Sequence, residues 1–192
     1  PGWEEIGESM RTETTRATFS HPYSVIRVVR GQLKDSSHTT IYNSLKKGNL
    51  KAIVLVVNFG FNELRKSTNL CQTPIEKQIE EKNILTLNDR RKYNLTLEFK
   101  YLQELRTQII GANKDNRPDH LLLVLNKIDL YKDELDNALN YYNPYSKEAP
   151  TGSFIPTDLK DSENNPNTFK GYLKDLLTEV GTDSMNLEIH PI

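Results

Sequence analysis

Two short apolar runs constrain the fold of this chain most strongly. Ala52 to Phe59 is apolar at nearly every position and is followed by Gly60, and Leu121 to Leu125 is apolar throughout. Strands that have helices on both faces of a parallel sheet show such runs, whereas a half-exposed strand alternates between apolar and polar residues. Both runs therefore predict buried strands of a parallel sheet.

Further strands are predicted on either side of these two runs. Val25 to Val29 is a β-branched run, which is typical of a strand. Gly152 to Pro156 predicts a fourth, weaker strand that Pro156 ends, and Leu187 to Ile189 predicts an additional edge strand.

Helices are predicted between the strands, because apolar residues recur there at three- and four-residue spacing. One such helix contains Leu95 to Ile109 and another contains Phe169 to Val180, with Asn167 or Thr168 as the cap of the second. Alternating strands and helices give the α/β class with a doubly wound, mostly parallel sheet. The 192 residues suit a single domain, with a polar insertion at about residues 66–92.

Composition excludes several classes of partner and location. Lys plus Arg is 25 and Asp plus Glu is 26, so a net charge of −1 makes nucleic acid an unexpected partner. The longest apolar runs are strand-sized, far below the roughly 20 residues of a membrane span, so no span is expected. The lone Cys71 cannot form an internal disulfide, which favours a reducing, cytoplasmic location.

A polar tetrapeptide, Asn126-Lys127-Ile128-Asp129, follows the second apolar run directly. Parallel sheets bind ligands outside the carboxyl ends of their strands. The two oxygens of Asp129 match the ring N–H and the amino group of guanine, a pair that adenine does not offer. The Lys127 stem can cover the face of the base, and Asn126 can link neighbouring loops. A polar turn after a strand is the alternative interpretation.

This N-K-x-D motif, with a strand and a helix before its own strand, resembles the P-loop GTPases of the Ras-like and translation-factor class. The resemblance implies a GTPase-like domain over residues 1–192 that binds GTP or GDP with Mg²⁺. In that family a helix follows the motif, here Leu130 to Tyr142. A strand and a short loop that contacts the guanine oxygen come next, and Thr157, Asp158 and Leu159 occupy the place of that loop without its usual alanine.

The phosphate-binding loop of the family has no clear counterpart. Gly60 to Ser67 has the pattern G-x-x-x-x-R-K-S, in which Arg65 replaces the glycine that lets the backbone approach a phosphate. A plain turn is therefore predicted at Gly60. The family's loop would precede residue 1, so we expect a domain that is incomplete at its N-terminus, and hydrolysis would be lost or would depend on that missing segment.

A second family motif, D-x-x-G, senses the γ-phosphate and is only partly matched. Gly31 is present and is a candidate nucleotide contact, but Val28 stands where the aspartate belongs. Gln32 matches the water-positioning glutamine that follows the glycine and is the one catalytic candidate, although a surface glutamine is the alternative. No residue is predicted to ligate a metal directly.

Two functional hypotheses follow from this partial match. The first is a guanine-nucleotide-binding, GTPase-like domain. The second is a pseudo-GTPase, a protein-interaction module without nucleotide binding, whose partner surfaces would be the polar insertion and the tyrosine-rich segment from Tyr141 to Tyr145. Those tyrosines could instead pack against the sheet. Some other doubly wound enzyme, without preference for guanine, is a third hypothesis.

Asn88 to Lys92 is predicted to be a solvated charged face rather than a phosphate-binding patch.

Overall fold

A computed structural model of the chain describes residues 13–16, 25–28, 35–62, 77, 86–156, 168–181 and 185–192. The strands of these residues form two sheets. An antiparallel pair consists of β1 (Glu13–Arg16) and β2 (Val25–Val28). A parallel sheet has the order β3-β4-β5, from β3 (Ala52–Val57), β4 (His120–Leu125) and β5 (Asn186–Pro191).

The described helices lie between the strands of the parallel sheet or directly before it. They are α1 (Asp35–Lys46), α2 (Leu87–Gly111), α3 (Leu135–Tyr142) and α4 (Phe169–Val180), with short 3₁₀ helices at Lys114–Asn116, Ile128–Leu130 and Lys132–Glu134. In the part of the chain that the structure describes, no helix combines the length and apolar composition that a membrane span requires.

The parallel register aligns the ends of all three strands. Val57 lies opposite Leu125, and Leu125 lies opposite Pro191, so the strands finish at one edge of the sheet. Helix α2 connects β3 to β4, while α3 and α4 lie between β4 and β5. The α/β class and the parallel pairing predicted for the two apolar runs are therefore confirmed.

One face of the parallel sheet packs against the helices. Leu55 and Val57 of β3 point into the same core as alternate residues of β4, and α2 and α4 contribute an apolar stripe each. Burying one such side chain stabilises the fold by about 1.5–3 kcal/mol. The residues of α2 and α4 that are buried in this core include Leu95, Phe99, Leu102, Leu105, Ile109, Leu173, Leu176 and Leu177.

The other face of the sheet is more open in the described residues. Val54 is 57% exposed and Val56 is 50% exposed, although both belong to a run that the sequence predicts to be buried on both sides. The helices described here thus cover one face, and double winding stays a prediction.

Two predicted elements differ from the structure after β4. Gly152 to Pro156 forms turns and no strand, because Gly152 adopts a φ of +117° and the Pro156 nitrogen cannot donate a hydrogen bond. The strand that pairs with β4 is instead β5, the segment predicted from Leu187 to Ile189. The helix predicted from Leu130 begins as 3₁₀ turns and becomes α-helical only at Leu135.

The start of helix α2 at Leu87 changes the bounds of the predicted insertion. Thr86 caps α2, since its hydroxyl oxygen accepts a hydrogen bond from the backbone N–H of Asp89 at 3.1 Å. Residues 87–92 therefore belong to a helix of the core and not to an insertion. At α4 the predicted cap is confirmed, because the Thr168 hydroxyl oxygen accepts from the backbone N–H of Gly171 at 3.0 Å.

Candidate functional site at the carboxyl edge of the parallel sheet

The N-K-x-D residues begin at the residue after β4, at the carboxyl edge of the sheet. Lys127 has φ 63° and ψ 34°, a left-handed conformation that is uncommon for a residue with a side chain. Hydrogen bonds hold it there. The Tyr131 hydroxyl donates to the Asn126 carbonyl at 2.8 Å, and the Leu130 N–H donates to the Lys127 carbonyl at 2.9 Å. These hydrogen bonds therefore hold the motif in one conformation.

Asn126 and Lys127 both bind the turn that follows β3, residues 58–62, here called the β3 turn. Lys127 Nζ donates to the carbonyls of Phe61 at 2.8 Å and Asn62 at 2.7 Å. Asn126 Nδ2 donates to Asn58 Oδ1 at 3.2 Å, while its own Oδ1 accepts from the Lys127 N–H at 2.9 Å. Asn126 thus links the loop after β4 to the β3 turn.

Asp129 differs from its two neighbours because it is exposed. Within the described ranges, its carboxylate makes no hydrogen bond and no ion pair. Both oxygens remain acceptors, and a carboxylate in this state offers the bidentate pairing that guanine requires. The loop therefore combines two restrained side chains with one available carboxylate.

Helix α2 forms hydrogen bonds to the β3 turn through three polar side chains, Arg91, Asn94 and Glu98. They are buried and lie three and four residues apart, which places them on one face of the helix. Asn94 Nδ2 donates to the Gly60 carbonyl at 2.8 Å, and Arg91 Nε donates to the Phe59 carbonyl at 3.4 Å. Glu98 Oε1 accepts from the Asn58 N–H at 3.2 Å. All three bonds fix the backbone of the turn.

Glu98 is the buried titratable group of this arrangement. Burial raises the pKa of its carboxyl to about 7, while hydrogen bonds from Tyr142 and from the β3 turn oppose that shift. The Tyr142 hydroxyl donates to Glu98 Oε2 and accepts from the Phe59 N–H at 3.0 Å. A carboxyl that ionises near neutral pH therefore lies directly beneath the turn that binds Lys127.

Arg91 is enclosed by aromatic rings and paired with one acid. Its guanidinium donates two hydrogen bonds of 3.1 Å to the Glu134 carboxylate, and its central carbon lies 3.4 Å from the ring centre of Phe154 and 4.4 Å from that of Phe61. The side chain is only 3% exposed. The solvated face predicted for Asn88 to Lys92 is thus wrong at Arg91, because its partners come from distant positions in the sequence.

The tyrosine-rich segment is largely internal. Tyr141 and Tyr142 are buried, and their rings pack on Phe59 at centroid distances of 6.1 and 6.0 Å. The prediction of an exposed partner surface is therefore wrong for these two residues, since they pack into the core beneath the β3 turn. Tyr145 is 67% exposed and keeps its predicted accessibility.

Other predicted site residues lie outside the described residues. These are Gly31, Gln32, Thr157, Asp158 and Leu159. The prediction of a strand that leads into Thr157 is wrong, because Gly152 to Pro156 forms turns and the strand that pairs with β4 is β5. The residue that follows β5, Ile192, meets the motif: its N–H donates to the Leu125 carbonyl at 2.9 Å, and its carbonyl accepts from the Ile128 N–H at 3.4 Å.

Gly60 has a structural reason to be glycine. Its φ is +82°, and a Cβ there would lie 2.9 Å from the backbone of Arg91. The turn thus needs glycine in order to approach α2 closely, while residues 63–67 of the segment predicted as a plain turn lie outside the described residues. In the described part of the chain, no cluster of three or more His, Cys, Asp or Glu side chains could hold a metal ion.

Comparison with known proteins adds no assignment. No protein-family model matches the chain, and searches of curated proteins and of solved structures find no match. The functional argument therefore depends on the geometry of the loop after β4 and on the residues that hold it.

Proposed function

We propose that this chain binds a guanine nucleotide through Asn126, Lys127 and Asp129, as part of a doubly wound, GTPase-like domain. The observation that carries the proposal is the contrast within the motif. Asn126 and Lys127 are tied to the β3 turn, whereas the Asp129 carboxylate is exposed and has no described partner.

The restrained geometry suits recognition of a flat base. Lys127 Nζ is held by two carbonyls, so little side-chain entropy is lost when its alkyl stem covers a base. The Asp129 carboxylate accepts two hydrogen bonds from guanine, each worth about 1.5–3 kcal/mol because the acceptor is charged. Adenine offers no matching pair of donors, so the pocket would prefer guanine.

The order of elements before the motif supports the same proposal. In the P-loop GTPases a strand and a helix precede the N-K-x-D strand, as β3 and α2 precede β4 here, whereas the next strand of this sheet, β5, follows two helices, α3 and α4. Hydrolysis of GTP, with Mg²⁺ and with Gly31 and Gln32 near the γ-phosphate, is the further activity that this resemblance implies. It would require a phosphate-binding loop that residues 58–62 do not form.

A pseudo-GTPase is the second candidate, and the valine at position 28 favours it. An aspartate at that position senses the γ-phosphate in the family, and an apolar side chain cannot replace it. In this case the domain would bind a protein partner, with exposed Tyr145 and the open sheet face at Val54 and Val56 as candidate contacts.

Nucleotide titration followed by NMR separates these candidates, because it detects binding as weak as millimolar. We expect GDP and GTP to shift the amide signals of Lys127 and Asp129 at lower concentrations than ADP and ATP. Asp129→Ala removes both base-recognition bonds and should weaken GDP binding at least about tenfold, since tenfold corresponds to roughly 1.4 kcal/mol.

Asp133→Ala is the matched control, since Asp133 is an exposed carboxylate four residues beyond Asp129. This variant should bind GDP like the unmodified chain. Equal responses to GDP and ADP would refute guanine selectivity. A folded chain that responds to no nucleotide would favour the pseudo-GTPase candidate.

A further inference from the structure

A continuous path of hydrogen bonds joins helix α2 to the base-recognition loop through the β3 turn. On one side, Asn94 and Glu98 bind the backbone at Gly60 and Asn58. On the other side, the same turn supplies two carbonyls to Lys127 Nζ and the side-chain oxygen of Asn58 to Asn126. The turn is thus held from both sides by polar groups.

We propose that Glu98, together with Asn94, is a positioning residue for the base pocket, acting through the β3 turn on Lys127 and Asn126. This inference rests on the proposed function for its consequence in nucleotide binding. The coupling itself is a property of the ligand-free chain, so it can be tested separately.

The direction of the bonds distinguishes positioning from simple core packing. An apolar residue at position 98 could fill the same space, but it could not accept the Asn58 N–H or the Tyr142 hydroxyl. Losing these acceptors leaves buried donors without partners, and the β3 turn must then move to find others. Because Phe61 and Asn62 lie in the same turn, such a movement displaces the carbonyls that hold Lys127.

The surroundings of Glu98 allow its ionisation to act on the turn. Among the described residues, the titratable groups that interact with Glu98 are the Tyr142 hydroxyl from α3 and the Tyr131 hydroxyl from the loop after β4. Tyr142 donates to the Glu98 carboxyl, and Tyr131 donates to the Asn126 carbonyl. A change in the charge of Glu98 therefore acts on residues that directly contact the β3 turn and the base-recognition loop.

The test compares Glu98→Ala, Glu98→Gln and Leu102→Ala in the whole ligand-free chain by NMR. Leu102 is the matched control because it is buried on the same helix, one turn beyond Glu98, and belongs to the apolar core. We expect Glu98→Ala to shift the Lys127 and Asn126 amide signals and to speed exchange of the Lys127 ammonium protons at least about tenfold. Leu102→Ala should lower stability without these changes.

A pH titration of the same signals supplies a readout that a purely structural role would not change. In the unmodified chain the Asn58 and Lys127 amide shifts should titrate together with a midpoint near 7, the pKa of the Glu98 carboxyl. In Glu98→Gln, which keeps an acceptor oxygen but cannot ionise, they should stay constant over that range. Glu98→Gln also keeps the test valid if Glu98→Ala fails to fold.

Separate outcomes decide the two proposals. Unchanged Lys127 signals in Glu98→Ala, equal shifts in Leu102→Ala, or an unaltered titration in Glu98→Gln would each overturn the positioning role. If the coupling is present, Glu98→Ala should also reduce the preference for GDP over ADP at least about fivefold. Coupling in a chain that shows no nucleotide preference would leave the positioning role intact and would contradict guanine recognition alone.

Discussion

The two ends of the parallel sheet are built in different ways. At the amino end, Lys51 pairs with Asp119 at 3.6 Å, and these side chains are 76% and 56% exposed. At the carboxyl end, Arg91, Asn94 and Glu98 are buried and bind the backbone of the β3 turn. Exposed ion pairs stabilise little, whereas buried polar groups are costly unless they are paired. The carboxyl end therefore contains the interactions that define one conformation, and the N-K-x-D motif lies there.

The largest expected effect of breaking this contrast is at Arg91. Arg91→Ala removes a buried cation from three aromatic rings and from Glu134, and it leaves a cavity behind. We expect a loss of about 4 kcal/mol in the free energy of unfolding, measured by urea denaturation. Arg90→Ala is the control, since Arg90 is half-buried and lies 5.6 Å from the Tyr93 ring, and it should cost about 1 kcal/mol or less. Similar losses in the two variants would contradict the account.

A smaller effect is expected from pH, through Glu98. Its pKa is about 7 in the folded chain against 4.5 as a free side chain, so between these values folding retains a proton that the unfolded chain loses. Stability should therefore fall by roughly 3 kcal/mol as pH rises from 4.5 to 7, and the contribution should then stay constant. Urea unfolding at several pH values should show this fall in the unmodified chain relative to Glu98→Gln. A constant difference between the two would contradict the assignment.

Two glycines, Gly60 in the β3 turn and Gly111 at the end of α2, differ in the space that an added side chain would meet. Gly60→Ala places a Cβ 2.9 Å from the Arg91 backbone at a positive φ, which should cost about 2 kcal/mol. Gly111→Ala meets nothing within 4 Å at the end of α2 and should be neutral or slightly stabilising. Thermal unfolding of both variants provides the measurement, and equal melting temperatures would argue against a tightly packed β3 turn.

The smallest effect is expected at the amino end. Lys51→Ala removes one member of the exposed pair with Asp119, so the unfolding free energy should change by about 0.5 kcal/mol or less. The same urea experiment measures this change. A loss comparable to that of Arg91→Ala would erase the distinction between the two ends.

Local patterns predicted much of this fold. The apolar runs gave β3 and β4, and the helical spacing gave α2 and α4, because runs and periodicity are local properties of the sequence. The runs also predicted burial on both faces of the sheet, whereas Val54 and Val56 are exposed in the described structure. Helix α1 was not predicted, as its sequence is mostly polar and contributes few core residues, such as Leu45. The pairing of β5 with β4 joins residues more than 60 positions apart, which no local pattern specifies.

The candidate site was predictable only in part. Asn126, Lys127 and Asp129 carry a recognisable motif, but the residues that support them do not. Glu98 lies at three- and four-residue spacing from Leu95 and Leu102, which places it on the apolar face of its helix, but this spacing does not reveal what its carboxylate binds. Its role becomes visible only when Tyr142 and the β3 turn lie against it, contacts that span about 40 positions of the chain.

Guanine recognition by the loop after β4 can be tested by exchanging its base preference at Asp129. Asparagine offers one acceptor and one donor, which match the N1–H and the C2 carbonyl of xanthine, whereas aspartate matches the two donors of guanine. We therefore predict that Asp129→Asn binds GDP at least about tenfold more weakly and gains binding to xanthosine diphosphate. An Asp129→Asn variant that still prefers GDP to xanthosine diphosphate as strongly as the unmodified chain would contradict guanine recognition by this loop.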